Sequence, residues 1–436
     1  MIVTYQIENL IKMLRTQCRS LPELRQLQDR KLRRLVRHAY LRVPFYRRLF
    51  DSRSLKPEDI ESVEDLSRLP VVSKAELRDN PPDEIIASDV DRSKCVELRT
   101  SGSTGLPLKL YYTRRDDSRL NASWLRPLLA HGVRPWHRKL EISGPHNLPA
   151  GKKWYQRLGL WRRRGISIFN SPAEWVEAWR SWRPEILYGY AGSLKLLARH
   201  VLEKGIGDIR PRFVFGVSDL VDEDCRKLIE AAFSRPIIDL YGAAEAGCIA
   251  WECPSCGGYH INADTVVVEF LDRGRPVAPG SPGRVVVTNL HSFAQPIIRY
   301  DLGDIGISGR EKSRCGRGLP LMKVIEGRDD AFIVLPSGRL LSPMFFFGTM
   351  KKISGIKHWK VIQNESGDLR VMVVPDKDFS KAAVDLLKKK VEEHSGEKME
   401  IAVETVGAVP PESSGKARAV VSRLKFPGYR AGKIGE

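Results

Sequence analysis

Apolar residues in the first fifty positions recur every three or four places: Leu10, Met13 and Leu14, then Leu32, Leu35, Val36 and Ala39. That spacing predicts two or three helices between about Ile7 and Phe50, the second ending before Pro44. Ser62-Val-Glu-Asp-Leu predicts a short capped helix, and Ser73-Lys-Ala-Glu begins another. Strand and helix periods then alternate. Arg138–Ile142, Ile186–Tyr190, Phe213–Gly216 and Ile237–Gly242 read as strands; Pro172–Trp182, Ser193–Lys204 and Asp222–Phe233 read as helices. This rhythm predicts an α/β domain on a largely parallel sheet. Trp175, Trp179 and Trp182, on one side of their helix, read as core rather than as a ligand cage. Val266–Leu271 and Arg284–Leu290 alternate like strands of a separate β unit, with Asp272-Arg-Gly-Arg-Pro as a turn between them. After Asp330 the pattern resets into strands at Phe332–Leu335, Lys357–Gln363 and Leu369–Val374 and helices at Pro343–Ile353 and Lys381–His394. That stretch reads as a small α+β domain of about a hundred residues.

A chain of 436 residues can bury a large core and divides into two or more domains. It has no apolar run of about 18 residues, so no membrane span is expected. Lys12 and Arg15 interrupt the apolar N-terminus, which lacks a small-residue cleavage site; this points to the cytoplasm. The net charge of +19 changes the picture. Arginines crowd Arg25–Arg48, and a second cluster spans Lys152–Arg164. Such an excess suits nucleic acid, an anionic membrane surface, or a polyanionic small molecule such as a nucleotide or coenzyme A; a solvated basic face is the alternative. Without a helix-turn-helix, RNA-binding or zinc-finger repeat signature, nucleic acid is the weakest of these.

Candidate chemistry lies in four stretches. Thr100-Ser-Gly-Ser-Thr-Gly105 alternates hydroxyls with Gly102 and Gly105 between two apolar runs. Glycines let several N–H groups converge on one anion, and Thr100, Ser101, Ser103 and Thr104 add hydroxyl donors, so the loop reads as a phosphate cradle or a Ser/Gly hairpin turn. It lacks the Lys-Ser/Thr pair of a Walker loop. Tyr241-Gly-Ala-Ala-Glu-Ala-Gly247 follows a strand at the end where open α/β sheets bind ligands. Tyr241 offers a base a flat face, and Glu245 a carboxylate for a metal. Asp301 and Asp304 fall in a glycine-bounded turn where a carboxylate can accept both hydroxyls of a ribose. Lys416 stands in the exposed loop Ser413-Ser-Gly-Lys. Separately, Cys253-Pro-Ser-Cys-Gly-Gly-Tyr-His260 with Cys315 supplies three thiolates and an imidazole, a closed tetrahedral Zn²⁺ set with no position left for water. Cys248 is left out of it. Such clustering suits metal binding in a reducing compartment rather than a disulfide framework.

In this order these stretches, with the opening His38-Ala-Tyr-Leu-Arg-Val-Pro-Phe-Tyr and Leu69-Pro-Val-Val-Ser-Lys, resemble the adenylate-forming superfamily. The resemblance is to its phenylacetate–CoA ligase-like branch, which includes proteins labelled as capsular polysaccharide biosynthesis proteins. It covers nearly the whole chain. It implies a large N-terminal adenylation domain over 1–329, with a helical start at 1–80 and a zinc subdomain at 248–320. A mobile α+β domain over 330–436 follows. It further implies that a carboxylic acid attacks the α-phosphate of ATP, and that the acyl group then passes to coenzyme A. The alternative acceptor is an amine or a carrier-protein thiol. On this template Thr100–Gly105 hold the β- and γ-phosphates, Tyr241 and Gly242 the adenine, Glu245 Mg²⁺, and Asp304 and Arg328 the ribose. Lys416 meets the α-phosphate and the attacking carboxylate, and Asp330 is the hinge. Tyr188–Ser193, Gly216–Asp219 and Ser143–His146 are expected along the acyl pocket. Two positions depart from the pattern: Leu108 stands where a lysine is common, and Asp219 where glutamate is usual. Some relatives carry such a zinc. A monomer or homodimer is expected.

Overall fold

The computed structural model describes residues 2–100, 108–145, 148, 151, 154–253, 255–309, 313–328, 332–337, 340–341, 343–350, 352–409 and 418–424. The chain divides into two compact units, Met1–Leu302 with Gly306–Val324, and Gly303–Ile305 with Ile325–Glu436.

The first unit opens with helices α1 (Ile2–Thr16), α2 (Leu21–Arg42), α3 (Pro44–Asp51), α4 (Lys74–Asp79) and α5 (Pro82–Ile85). Pro44 starts α3 because its fixed φ suits a first helical position, and Ser73 caps α4 by accepting from Glu76 N at 3.2 Å. A hairpin of β1 (Val96–Arg99) and β2 (Lys109–Tyr112) leads to α6 (Arg114–Ala130). Then come β3 (Lys139–Ser143), α7 (Trp154–Arg157), β4 (Arg163–Ser167), α8 (Pro172–Trp182), β5 (Ile186–Tyr190), α9 (Ala191–Glu203), β6 (Phe213–Val217), α10 (Glu223–Phe233) and β7 (Ile237–Ala243). The rest is strand: β8 (Gly247–Cys253), β9 (Gly258–Ile261), β10 (Val266–Asp272), β11 (Arg275–Pro276), β12 (Pro282–Asn289), β13 (Tyr300–Ser308) and β14 (Leu321–Arg328), the last two straddling the boundary between the units.

Strands β3 to β7 pair in parallel in the order β4-β3-β5-β6-β7. Both faces of this sheet are covered, as a parallel sheet requires. Leu140, Ile142, Leu187 and Val214 pack with Trp175, Leu194 and Ile229 of α8–α10 on one side. Tyr190, Phe215 and Leu240 pack with Leu24 of α2 and Leu128 of α6 on the other. The expected separate β unit is not separate. The ladder runs on through β8, β9, β14, β13, β12, β10 and β11 as one twelve-stranded sheet, because the β7–β8 and β8–β9 hairpins continue it edge to edge.

A buried ion pair locks the helical start to this sheet. Arg126 of α6 is fully buried and grips Asp264 through two nitrogens, at 2.8 and 2.5 Å, while Asn262 accepts at 2.8 Å. Thr16 of α1 donates to the same carboxylate, and Lys31 of α2 to the Asp264 carbonyl. Each buried charge thereby has a partner, without which it costs several kcal/mol.

The second unit has its own core. It comprises β15 (Ile333–Val334), β16 (Leu340–Leu341), α11 (Pro343–Met350), β17 (Ile356–Gln363), β18 (Leu369–Pro375), α12 (Lys381–Ser395), β19 (Ile401–Thr405) and β20 (Val420–Ser422). The sheet order is β19-β18-β17-β20, and Leu369, Val371 and Val373 alternate onto Leu387 and Val391 of α12. Buried Gln363 gives Nε2 to Val334 O (2.7 Å) and accepts from Val334 N and Ser422 Oγ, both at 2.8 Å, stitching three strands. Among the described residues no helix is long and apolar enough to cross a membrane.

Candidate active site and metal centre

The β7–β8 hairpin is tight: Ala243 lies opposite Gly247, with a register shift between Tyr241 and Gly242. Tyr241–Gly247 is therefore a strand end and a turn, clamped from several sides. A Cβ on Gly242 would stand 2.6 Å from the Trp124 ring of α6 and 2.4 Å from Gly247 O, so only glycine fits there. Ser123 Oγ accepts from Cys248 N at 3.0 Å. Tyr112 of β2 donates to Ala244 O at 2.7 Å, and Asn289 of β12 to Glu245 O at 2.9 Å. The buried Glu245 carboxylate accepts from Tyr300 OH at 3.0 Å. A carboxylate has about four acceptor positions, so this bond orients it without filling it. Burial first, and then the Glu245 charge, push the Tyr112 phenol well above its usual range, keeping it a donor. Tyr241 is half-buried on β7.

The other expected residues fall as follows. Thr100 N donates to Leu108 O and Leu108 N to Thr100 Oγ1, both at 3.0 Å, closing the β1–β2 stem at the ends of the glycine loop. Ser101, Gly102, Ser103, Thr104 and Gly105 themselves lie outside the described residues. Asp219, after β6, accepts from Gly192 N at the start of α9 at 3.1 Å. It thus ties together the carboxyl ends of β5 and β6. Ser143 is buried at the end of β3, its Oγ without a partner among the described residues; His146 lies outside them. Asp301 and Asp304 stand within β13 and not in a turn; Gly303, at φ +72°, marks an irregular position inside a continuous strand. Asp301 is taken by Arg284, at 2.7 and 2.9 Å, while half-buried Asp304 belongs to the second unit. Arg328 ends β14, its side chain outside the description, as are Asp330 and Lys416. Tyr112 and Tyr300 lie in the stretches around the glycine loop and Asp301 but had no role assigned to them there, while Ser123, Trp124 and Asn289 lie in no motif.

The thiol cluster does assemble. Cys253 ends β8, Cys256 sits in the turn, His260 is on β9, and Cys315 comes from the segment between β13 and β14; their ligand atoms all lie within 4.8 Å of one another. His260 Nε2 and Cys315 Sγ are 3.2 Å apart. Burial, then the nearby Arg317 guanidinium, pull His260 down to about 4, so the imidazole is neutral at pH 7 and free to ligate. Burial pushes the Cys253 thiol up. At Cys315 burial also raises it, but hydrogen bonds from Ser313 and Arg317 outweigh that and lower it. Cys248 is wholly buried with Sγ directed at Ala250 O, apart from the cluster. Gly318, three residues beyond Cys315, donates to Gln17 O at 2.9 Å, and a Cβ there would collide with Arg19 O. The cluster thereby anchors the α1–α2 turn as well as the sheet.

The fold is that of acyl-adenylate-forming ligases. A 2-hydroxyisobutyryl-CoA ligase crystallised in the postadenylation state with R3-HIB-AMP matches it with TM-score 0.76, at 20% identity over 94% of this chain and 91% of its own. In sequence, the phenylacetate-coenzyme A ligase of Pseudomonas putida is 30% identical over 72% of this chain and 73% of its own length. That of Thermus thermophilus is 27% identical over 80% of each. The chain belongs to the phenylacetate–coenzyme A ligase family of AMP-forming acid–thiol ligases. Residues 333–423 match the family described as CapK C-terminal domain.

Proposed function

We propose that this protein activates a carboxylic acid with Mg²⁺-ATP and delivers the acyl group to coenzyme A. The observation that carries this reading is the clamped hairpin that presents Tyr241 and an oriented, buried Glu245 at the carboxyl end of a parallel strand. A substrate carboxylate oxygen attacks the α-phosphorus and pyrophosphate departs; the thiol sulfur then attacks the acyl carbonyl and AMP departs. The protein forms no bond in either step. It positions the reactants and balances charge. Tyr241 stacks on adenine, next to Gly242. Thr100, at the closed stem, and Ser101–Gly105 donate to the β- and γ-phosphates. Glu245, held by Tyr300, binds Mg²⁺, which neutralises the polyphosphate. Asp304 and Arg328 hold the ribose, Lys416 the α-phosphate and incoming carboxylate, and Asp330 is the hinge. Residues 1–329 form the adenylation domain and 330–436 the mobile one. Zn²⁺ on Cys253, Cys256, His260 and Cys315 is structural, since four protein ligands leave it no open position. The protein works in the cytoplasm, whose reducing conditions keep those thiols available.

In a second reading the acceptor is an amine or a carrier-protein thiol. Pyrophosphate release with Mg²⁺-ATP over aryl, fatty, amino and sugar acids, with and without coenzyme A, tests both. Release with one acid, lost in Lys416→Ala and accompanied by consumption of free thiol, is the expected result. Release without thiol consumption selects the second reading, and no release with any acid refutes both.

A further inference from the structure

The helical start of the chain carries a surface that acid activation leaves unused. Arg30, Arg33, Arg34, Arg37 and Leu41 of α2 recur at helical spacing and share one face, while Leu32, Leu35, Val36 and Ala39 are buried. α2 holds seven Lys or Arg against two acids. Arg25 is 3.7 Å from Glu64 and Lys31 turns inward to Asp264, but little neutralises the others. Arg30 and Arg37 have no hydrogen-bond or ion-pair partner among the described residues. Among the described residues Arg33 reaches only the Glu61 carbonyl, at 2.7 Å, and the Arg34 guanidinium stands 5.2 Å over the Phe293 ring. Arg42 and Asp89 are 3.7 Å apart and both exposed. A shallow depression of about 400 Å³ lies among Arg33, Arg34, Arg37, His38, Leu41 and Arg42.

Arg114 and Arg115 at the start of α6 are exposed as well, while half-buried Arg119, 3.8 Å from Asp116, lies in electrostatic range of Arg34 on α2 and of Glu8 on α1. There α1 turns aliphatic outward: Ile7 is 54% and Ile11 44% exposed, one turn apart and flanking Glu8, and Leu41 of α2 is 53% exposed. Exposed aliphatic side chains have no task on a phosphate backbone of nucleic acid. At a bilayer they enter the acyl boundary while arginines meet lipid phosphates. A second copy of the chain would set like charge against like charge.

We propose that α1, α2 and the start of α6 form a docking face for an anionic lipid bilayer, with Ile7, Ile11 and Leu41 at the acyl boundary and Arg30, Arg33 and Arg37 on lipid phosphates. The full chain is sedimented with vesicles of phosphatidylcholine alone and of phosphatidylcholine with roughly a third phosphatidylglycerol, an anionic charge density like that of a cytoplasmic leaflet or above it. Binding is expected to the mixed vesicles only and to vanish at about 0.5 M salt. Arg33→Glu with Arg37→Glu lowers it about tenfold or more, since each basic residue near such a surface contributes measurably. Ile7→Ser with Ile11→Ser lowers it several-fold at low salt, and circular dichroism and melting point verify that both variants fold. The proposal is overturned by sedimentation with neither vesicle, by equal binding to both, or by an unaltered Ile7/Ile11 variant. Duplex DNA displacing the protein from vesicles while that variant binds DNA normally assigns the face to nucleic acid instead. Retention on polyglutamate without vesicle binding assigns it to an acidic protein.

Discussion

Among the described residues the Glu245 carboxylate receives one hydrogen bond, from Tyr300, while Tyr112 and Asn289 fix the backbone on which it rides. Those contacts separate orientation from charge. Tyr300→Phe keeps the charge and loses about 1 kcal/mol of orientation, so the Mg²⁺ needed for half-maximal pyrophosphate release rises about fivefold. Glu245→Gln removes the charge and is expected to slow release about a hundredfold, with the melting point within a few degrees of the parent. Two acids elsewhere titrate in opposite senses. Burial would raise Asp264, but the paired Arg126 outweighs it and holds the carboxyl at about 2. Its stabilisation, about 2 kcal/mol, is therefore present above pH 4 and is lost as pH falls through about 2. Asp239 is lifted to about 7, by burial and then by the neighbouring Glu252, against the Tyr259 hydrogen bond and Arg226. The folded state keeps a proton that the unfolded chain releases, so stability falls as pH rises from about 4 through 7. Asp239→Asn should accordingly melt about 2–4 °C above the parent at pH 8, with a smaller gain at pH 5; a gain that does not vary with pH contradicts this. Of these residues Glu245 was legible from its motif. Tyr300 was not, because it lies 55 positions away and meets Glu245 only once the strands are placed.

Among elements, the knuckle between β8 and β9 was the most legible, because thiol and imidazole spacing states its own geometry. The distant Cys315 was legible too, through the glycine turn that follows it. Metal analysis is expected to return one zinc per chain. Cys315→Ser should lose it and lower the melting temperature by several degrees, since binding at such a site is folding free energy. A chelator should reproduce that loss in the parent and change nothing in the variant. The helix α6 is not legible in the sequence for a physical reason. Its inward face carries Asp116, Ser118, Ser123 and Arg126, all buried, and Pro127 sits in its last turn. A helix that buries polar groups against matched partners has no apolar stripe to read. The continuation of the sheet past β8 was hidden likewise, because alternation marks a strand and not its neighbour.

The whole molecule was legible as an α/β unit followed by a small α+β unit, since the hydrophobic period itself changes near residue 330. Each unit has a core of its own: Leu187, Val214 and Phe215 belong to the first, Val361, Val371 and Leu387 to the second. Calorimetry should therefore resolve two transitions. Gln363→Leu strands the Val334 N–H and carbonyl and costs about 2–3 kcal/mol, lowering one transition only. Treatment with a chelator is expected to lower the other. The cysteine knuckle also has a use at this scale. Cobalt(II), which three thiolates and an imidazole would hold as they would hold zinc, is coloured and paramagnetic where zinc is silent. β8 joins the knuckle to the Tyr241–Gly247 hairpin through seven extended residues, about 20 Å. A cobalt-loaded chain thus carries a built-in beacon at a fixed span from Glu245, against which the arrival of a nucleotide can be timed without attaching a single label.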